Sequence, residues 1–399
     1  MALVPVAATY ISFADIAKSA FRAFFSRDRK KFEALCAAEC KKENAVYVTS
    51  LMRAAFLACK IAKRASGKST ILIPRYACPS FAHGILAAGL RIKYCDLVPK
   101  SLEINPSQLE PLVDESVAAL IVPNLFGLSS DMRALQRLCK SKGILMIEGA
   151  DYSLGGSFDG EPFGSYGDIT VLNFQEGKAI PIGGGMTLSN FPVLDGESLV
   201  QGGSVVPFLR SVAFKVFSCP VGYGLFRGAL KLFRIGIRSV SMEDTMRETR
   251  DEFSFIFNEN EKLVGISRYQ NQLGFQLLKK LQGQRAVRNR NALALAEKLR
   301  PLQPSIEVVA CNSSELSPHM IRFPILVPHQ KRDKLIEDLS KAGFEASPMY
   351  CEVGLKVEAS QHPGAAKVND ELLTLPCNWY MNAKRISRLA SVLERRLAQ

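Results

Sequence analysis

Short apolar runs alternate with longer segments of helical spacing through the first half of the chain. Val46-Tyr47-Val48 precedes a helical segment from Ser50 to Lys63. Further runs lie at Thr70 to Pro74, Ile92 to Asp96, Ser116 to Pro123, Leu145 to Ile147 and Ile169 to Phe174. Runs this short and this continuously apolar suit strands buried on both faces of a parallel sheet. Their recurrence, roughly every 20–30 residues with helices between, predicts a doubly wound, mainly parallel sheet. Asp131 stands where it would cap a helix running through Lys142.

The pattern differs at either end of this block. Phe13 to Leu35 has helical spacing, with Ile16, Ala20, Phe24 and Phe25 on one side; a core-packing helix is the first expectation and membrane contact the second. After Asn190 the strand rhythm stops, and no acidic residue occurs between Glu197 and Glu243. Long apolar runs there mix with Arg210, Lys215, Arg227, Lys231, Arg234 and Arg238, and Pro220, Gly222 and Gly224 divide them. Each half falls short of the about 20 apolar residues that span a bilayer. Residues 207–238 therefore predict either two basic amphipathic helices lying in a membrane surface or a hairpin that caps the fold or meets a second subunit. Glu243 to Asn260 is a charged connection. Beyond it come a long helix over Leu273–Leu299, strands near Ile306–Val309 and Ile321–Val327, a helix from His329 to Ala342, and a last helix to Leu397. The expected division is an N-terminal helical arm (1–44), a large α/β domain (45–200), a basic apolar insertion (201–260) and a small α+β domain (261–399).

Composition narrows this picture only in part. The 399 residues carry a net charge of +13, which favours an anionic partner or simply a basic surface. No helix-turn-helix and no aromatic-rich basic strand points to nucleic acid. Ten cysteines without a CxxC pair argue against a zinc centre and for reduced, mostly buried thiols. No metal site is expected. The first ten residues lack a basic segment and a cleavage pattern, so a cytoplasmic protein is expected.

The chemistry concentrates in Ile144 to Leu188. An apolar strand ends in Glu148 and Asp151, where open α/β sheets place their ligands. A second strand follows, then Lys178, then Gly183-Gly184-Gly185, an amine beside backbone that can approach a ligand closely.

Taken in order, Glu148-Gly149-Ala150-Asp151-Tyr152-Ser153-Leu154-Gly155, Gly164-Ser165-Tyr166-Gly167-Asp168, Asn173-Phe174-Gln175-Glu176-Gly177-Lys178 and Gly183-Gly184-Gly185 keep the spacing of four motifs: E-D-A-A-(Q/H)-x-x-G, G-x-x-G-D, S-F-H-x-x-K and G-E-G-G. The stretch resembles the DegT/StrS-type sugar aminotransferases. Pro123 to Met132 also resembles that family's V-H-L-Y-G-x-x-x-D-M. The resemblance implies an aspartate aminotransferase-like fold with a mainly parallel sheet and a smaller C-terminal α+β domain. It also implies pyridoxal 5'-phosphate as cofactor, Lys178 as its Schiff-base lysine, and a homodimer. By position, Met52 and Arg53 at a helix start would meet the cofactor phosphate, where the family has S-G-T-x-A-L. Cys78 falls where an aromatic commonly stacks on the ring, Tyr152 where a Gln or His packs against it, and Asn173 where a serine touches phosphate. His83, on the next helix, reads as structural.

One departure bears on mechanism. The family's carboxylate for the ring nitrogen directly follows the glutamate, and here that residue is Gly149. Asp151 lies on the same side of an extended strand, about 7 Å further on, and is the expected substitute. The family's G-x-N-x-R loop has Gly265-Ile266-Ser267-Arg268 as its nearest counterpart. The function so implied moves an amino group from an amino acid, glutamate first, to a keto-sugar on a nucleotide or lipid carrier. A sugar dehydration is disfavoured because relatives of that kind carry histidine for the lysine. The alternative is a catalytically altered or silent relative with a regulatory or membrane-associated role.

Overall fold

The computed structural model describes residues 2–8, 10–26, 28, 30–194, 199–232, 263–309, 315–352 and 361–398. Arg234, Arg238 and the connection 243–260 lie outside the described residues. The chain opens with α1 (Phe13–Phe25) and α2 (Lys31–Glu39) and enters the sheet at β1 (Asn44–Val48), followed by α3 (Leu51–Ser66). Next come β2 (Thr70–Pro74), the short β3 (Tyr76–Ala77), α4 (Pro79–Ala87), β4 (Arg91–Cys95), the single turn α5 (Pro106–Leu109), β5 (Val117–Pro123), α6 (Met132–Ser141) and β6 (Leu145–Gly149). A hairpin of β7 (Ser157–Phe158) and β8 (Glu161–Pro162) precedes β9 (Ile169–Asn173) and β10 (Gly185–Ser189).

The central sheet has the order β1-β10-β9-β6-β5-β2-β4. Strands β4, β2, β5, β6 and β9 pair in parallel, and β10 runs against both β9 and β1. All residues of β2, β5, β9 and β10 are buried, which is why the parallel strands β2, β5 and β9 read as mostly apolar runs rather than alternating ones. Asp131 caps α6, accepting from the Ala134 N–H at 2.8 Å.

Beyond β10, β11 (Leu199–Gln201) pairs in parallel with β12 (Leu263–Gly265), so the insertion leaves and rejoins the fold at adjacent strands. Its described part is two helices, α7 (Val205–Phe217) and α8 (Pro220–Leu232), bent by 99°. No single described helix is long and apolar enough to cross a membrane. The expected long helix over 273–299 is two: α9 (Arg268–Leu278) and α10 (Leu281–Leu299), with the Lys280 N–H turning back to the Leu277 carbonyl at 3.0 Å.

The C-terminal part holds β13 (Glu307–Val308), β14 (Leu316–Ser317), β15 (Phe323–Leu326), α11 (His329–Lys341), β16 (Cys351–Glu352), α12 (Pro363–Glu371), β17 (Leu372–Leu375) and α13 (Ala383–Leu397). A small antiparallel sheet runs β13-β15-β17. Two bridges tie this part to the large domain: β14 pairs with β7, and β16 with β3.

The first helix packs on the core as expected through Ile16 and the half-buried Ala20, but it is rotated about its axis from the expected face. Asp15, Ile16, Ser19 and Ala23 face inward, whereas Phe24 and Phe25 are 85% and 70% exposed. Asp15 decides the orientation. Its carboxylate accepts from the Ser12 N–H at 3.0 Å and pairs with Lys280 Nζ at 2.6 Å, and the small Ser19 and Ala23 on the same face let α1 pack against α9.

Candidate active site

Three strand ends deliver the chemistry to the C-terminal edge of the sheet. Asp151 and Tyr152 follow β6, Lys178 follows β9, and Cys78 stands between β3 and α4. The loop that carries Lys178 is closed at its base: the Phe174 N–H donates to the Gly184 carbonyl at 2.9 Å and the Gly183 N–H to Phe174 at 2.7 Å. Gly184 needs to be glycine twice over, since its φ is +80° and a Cβ would run into the Tyr47 hydroxyl. Tyr47 in turn donates to the Gly183 carbonyl at 2.9 Å and accepts from Gln270 Nε2 at 2.6 Å, pinning the glycine run to β1 and α9.

Lys178 is 5% exposed and Asp151 7%. Their side chains form an ion pair. The Lys178 ammonium also donates to Tyr350 Oη at 3.1 Å and lies over the Tyr152 ring, 3.2 Å from its centroid. Tyr350 donates to Tyr152 Oη at 2.9 Å and stacks on Phe126, with centroids 5.9 Å apart. Burial alone would lower the lysine's pKa, but the Asp151 carboxylate, joined by Tyr152 and Cys78, outweighs it and leaves the ammonium above its ordinary value. Burial, then the neighbouring Tyr152, Cys78 and Asp151, pushes the Tyr350 hydroxyl well up. Burial raises the Cys78 thiol too, against a lowering by Lys178, so it stays protonated at neutral pH.

Glu148 has a different task. Fully buried, it accepts from the N–H groups of Gly164 (2.7 Å), Tyr166 (3.1 Å) and Gly167 (3.1 Å) and from Asn124 Nδ2 (3.0 Å). Burial raises its pKa while those bonds work the other way. It staples the loop before β9 onto β6. Gly149 is walled in. A Cβ there would stand 2.8 Å from Phe81 Cζ and 3.3 Å from Pro123 Cα, so Phe81 of α4 fills the space a side chain would need.

A cavity of about 290 Å³ opens at this edge, lined by Cys78, His83, Tyr152, Asn173, Lys178, Arg322 and Tyr350 among others. It thus gathers Lys178, Tyr152, Cys78 and Asn173, with Asp151 directly behind the lysine. Met52 and Arg53 are not part of the lining. They start α3, where Ser50 Oγ accepts from the Arg53 N–H at 3.2 Å, and Gly185 lies close beneath, 2.8 Å from the Ser50 carbonyl to a Cβ position. Gly185 pairs across the ladder with Asn173, whose side chain accepts from the Gln175 N–H at 3.0 Å. The helix start is therefore separated from the cavity residue Asn173 by Gly185 of β10. His83, expected as structural, lines the cavity; burial lowers its pKa and keeps it neutral.

Tyr350, Arg322 and Phe126 were not marked by the sequence. Tyr350 stands 172 positions after Lys178, and the β16–β3 pairing, with Tyr76 Oη donating to the Met349 carbonyl, brings it to the lysine. Phe126 has the left-handed φ of 58° in the turn after β5, which aims its ring at Tyr350.

The residues present fit pyridoxal phosphate. A buried lysine faces an open volume between aromatic rings, with Asn173 and the start of α3 beyond β10. The component out of its expected place is the carboxylate: Gly149 cannot supply one, and Asp151 is engaged by Lys178.

A seven-stranded, mainly parallel sheet with a lysine at its C-terminal edge and a small antiparallel domain over it is the fold of the pyridoxal phosphate-dependent aminotransferases. The putative sugar aminotransferase Spr1654 of Streptococcus pneumoniae, in its PLP form, superposes with a TM-score of 0.75 at 15% identity, covering 99% of both chains. The aminotransferase TlmJ of Streptoalloteichus hindustanus gives 0.74 at 18% identity, again over 99% of both. The sequence profile of the DegT/DnrJ/EryC1/StrS aminotransferase family matches residues 12–200 and 235–394, and the chain belongs to that family. The chain is 23% identical over 125 residues to GDP-perosamine synthase of Vibrio cholerae, which is 31% of this chain and 34% of that protein. It is 25% identical over 153 residues to dTDP-4-dehydro-2,3,6-trideoxy-D-glucose 4-aminotransferase of Saccharopolyspora spinosa, 38% and 40% of the two. These matches span roughly a third of the curated relatives' lengths.

Proposed function

We propose that this chain is a pyridoxal phosphate-dependent aminotransferase that moves an amino group from an amino acid, glutamate in the first instance, to a keto-sugar on a nucleotide carrier. The observation that carries the reading is Lys178 itself, buried on the wall of a cavity and held by Asp151, Tyr350 and Tyr152. When bound, pyridoxal phosphate supplies the carbonyl and the electron sink of the reaction. The protein's part begins with loss of a proton from Lys178 Nζ to solvent, a step the Asp151 carboxylate holds back by stabilising the ammonium. The freed amine is then the base that removes the donor's α-proton and returns it to the sugar carbon. Tyr350 and Tyr152 fix the amine's direction during both transfers. Arg322 gives the cavity a cation suited to the donor's carboxylate. The enzyme works in the cytoplasm as a homodimer in this reading. A lipid carrier is the second form of the substrate, favoured by the basic apolar segment 207–238.

Absorbance of the purified protein tests this. Wild type and Lys178→Ala are compared with added pyridoxal phosphate and then glutamate. The wild type alone should show the visible band of lysine-bound cofactor, and glutamate should convert it to the pyridoxamine form. A band that no amino donor alters would count against transamination, and no band in either protein would overturn the reading.

A further inference from the structure

The insertion that the family profile passes over, residues 201–234, carries eight of the sixteen exposed large apolar side chains among the described residues, and α1 extends the surface. On α7, Val205, Val206 and Leu209 are 71%, 74% and 58% exposed, and on α8 Val221 and Leu225 are 61% and 65%. At 100° per residue the exposed residues of α7 fall on one face, as Val221 and Leu225 do on α8. The exposed face of α1 bears Phe13, Phe21 and Phe24, at 57%, 70% and 85%. The three helices adjoin: Phe217 meets Phe226 at 5.4 Å between centroids, and Lys215 Nζ lies 6.0 Å from the Phe13 ring.

Three further facts choose the occupant. Lys18 and Arg22 on α1 are exposed, Arg227 on α8 is half-buried, and no acidic residue occurs from 198 to 242. A second copy packed through a twofold would set these cations against themselves, whereas anionic headgroups neutralise them. Each helix of 13 residues is about 20 Å long at 1.5 Å per residue, too short for the roughly 30 Å hydrocarbon core, and the 99° bend rules out one straight span. Short, bent, apolar on one side and basic at the margin, the pair suits burial at the level of the headgroups.

We propose that α1, α7 and α8 form a docking face for an anionic lipid bilayer, and that this face borders the catalytic cavity. The link to the cavity is Arg210 of α7, which pairs with Glu176 on the cavity lining. The body anchors the hairpin at its other end, where Tyr223 donates to Glu345 at 2.6 Å and the Leu3 N–H to the Pro220 carbonyl at 2.8 Å. The docking stands on these contacts alone. Its consequence, delivery of a carrier-bound sugar at the bilayer surface, rests on the aminotransferase reading.

Co-sedimentation of the full chain tests it, with vesicles of phosphatidylcholine alone and of three parts phosphatidylcholine to one of phosphatidylglycerol. The chain should pellet with the anionic vesicles and far less with the neutral ones. A Phe21→Ser, Phe24→Ser, Leu225→Ser variant should partition at least about tenfold more weakly, and so should Arg22→Glu with Lys215→Glu, both keeping the cofactor band of the wild type. Lys178→Ala should pellet like wild type, so loss of the chemistry is separable from loss of docking. A wild-type chain that stays in the supernatant, or a serine variant that binds equally, overturns the proposal. So does light scattering in which the serine substitutions split an oligomer that never binds vesicles, because the face is then a contact between copies.

Discussion

Replacing Asp151 by asparagine separates two jobs this carboxylate could hold. The structure sets it against Lys178 Nζ, where it acts as counterion, and the missing side chain at Gly149 suggests a partner for the ring nitrogen. As counterion, its attraction opposes the burial that would otherwise drive the lysine to its neutral form. An opposite charge in contact shifts a pKa by about 1–3 units, or about 1.4–4 kcal/mol. Asp151→Asn should therefore lower the lysine's pKa by that amount, because burial is then opposed only by Tyr152 and Cys78. Only the neutral amine attacks a carbonyl, so the neutral fraction at pH 7.5 should rise about ten- to a thousandfold. The assay is stopped-flow absorbance of apoprotein mixed with pyridoxal phosphate between pH 6 and 10. Wild type should load faster as pH climbs throughout that range, and the variant should reach its plateau at lower pH. The same ion pair contributes stability that is complete below about 10.5 and fades as pH rises through the raised pKa. A loading profile that Asp151→Asn leaves in place or moves upward would refute the counterion account. A profile that moves as expected, with transamination abolished, would mean that the carboxylate serves the ring as well.

Three further outcomes follow from particular contacts. Tyr350→Phe removes a hydrogen bond to a charged group, about 1.5–3 kcal/mol, so kcat should fall roughly ten- to a hundredfold with KM little changed. Gly149→Asp should cost about 1–3 kcal/mol in denaturant unfolding through overpacking, and Phe81→Ala in the same chain should recover part of it by vacating the space. His319 is buried between Arg288 (2.9 Å) and the Leu154 carbonyl (2.8 Å), and burial followed by the Arg288 charge brings its pKa down to about 3. Its unfolded form takes up a proton first, so stability should decline as pH falls from about 6.5 to about 3. Acid titration of His319→Leu should show a flatter decline; an unchanged slope would place the acid-sensitive group elsewhere.

The strands of the large domain were legible because a parallel sheet buried on both faces leaves a signature in composition alone: β2, β5 and β9 are apolar at nearly every position. Lys178 was legible because four short motifs hold their spacing around it. Two kinds of feature were not. Tyr350 and Arg322 reach the cavity from the small domain, and no local pattern encodes a contact between residues 172 positions apart. The exact rotation of α1 was hidden because Ile16 and Ala20 border two overlapping faces, and a tertiary ion pair to Lys280 turns the helix toward Asp15, Ser19 and Ala23. Hydrophobicity alone would turn it toward Phe24 and Phe25.

Gly149 shows how a local reading of one position falls short. Read from sequence, it is a lost carboxylate, and the question is which neighbour replaces it. In the fold the space is filled, since Phe81 packs against the backbone where the side chain would begin. An aspartate cannot simply return there, and α4, which carries Phe81, also helps form the cavity through His83 and Ser80. The carboxylate at Asp151 meets the lysine's nitrogen, which changes what it can do: a counterion there tunes when Lys178 gives up its proton and so the pH at which the site becomes competent. Two substitutions at neighbouring positions, one removing an acid from the strand and one placing an acid beside the amine, thus act on different steps. Whether the acid has moved its role from ring to amine is decided first at the lysine, by its titration, and only then at the ring.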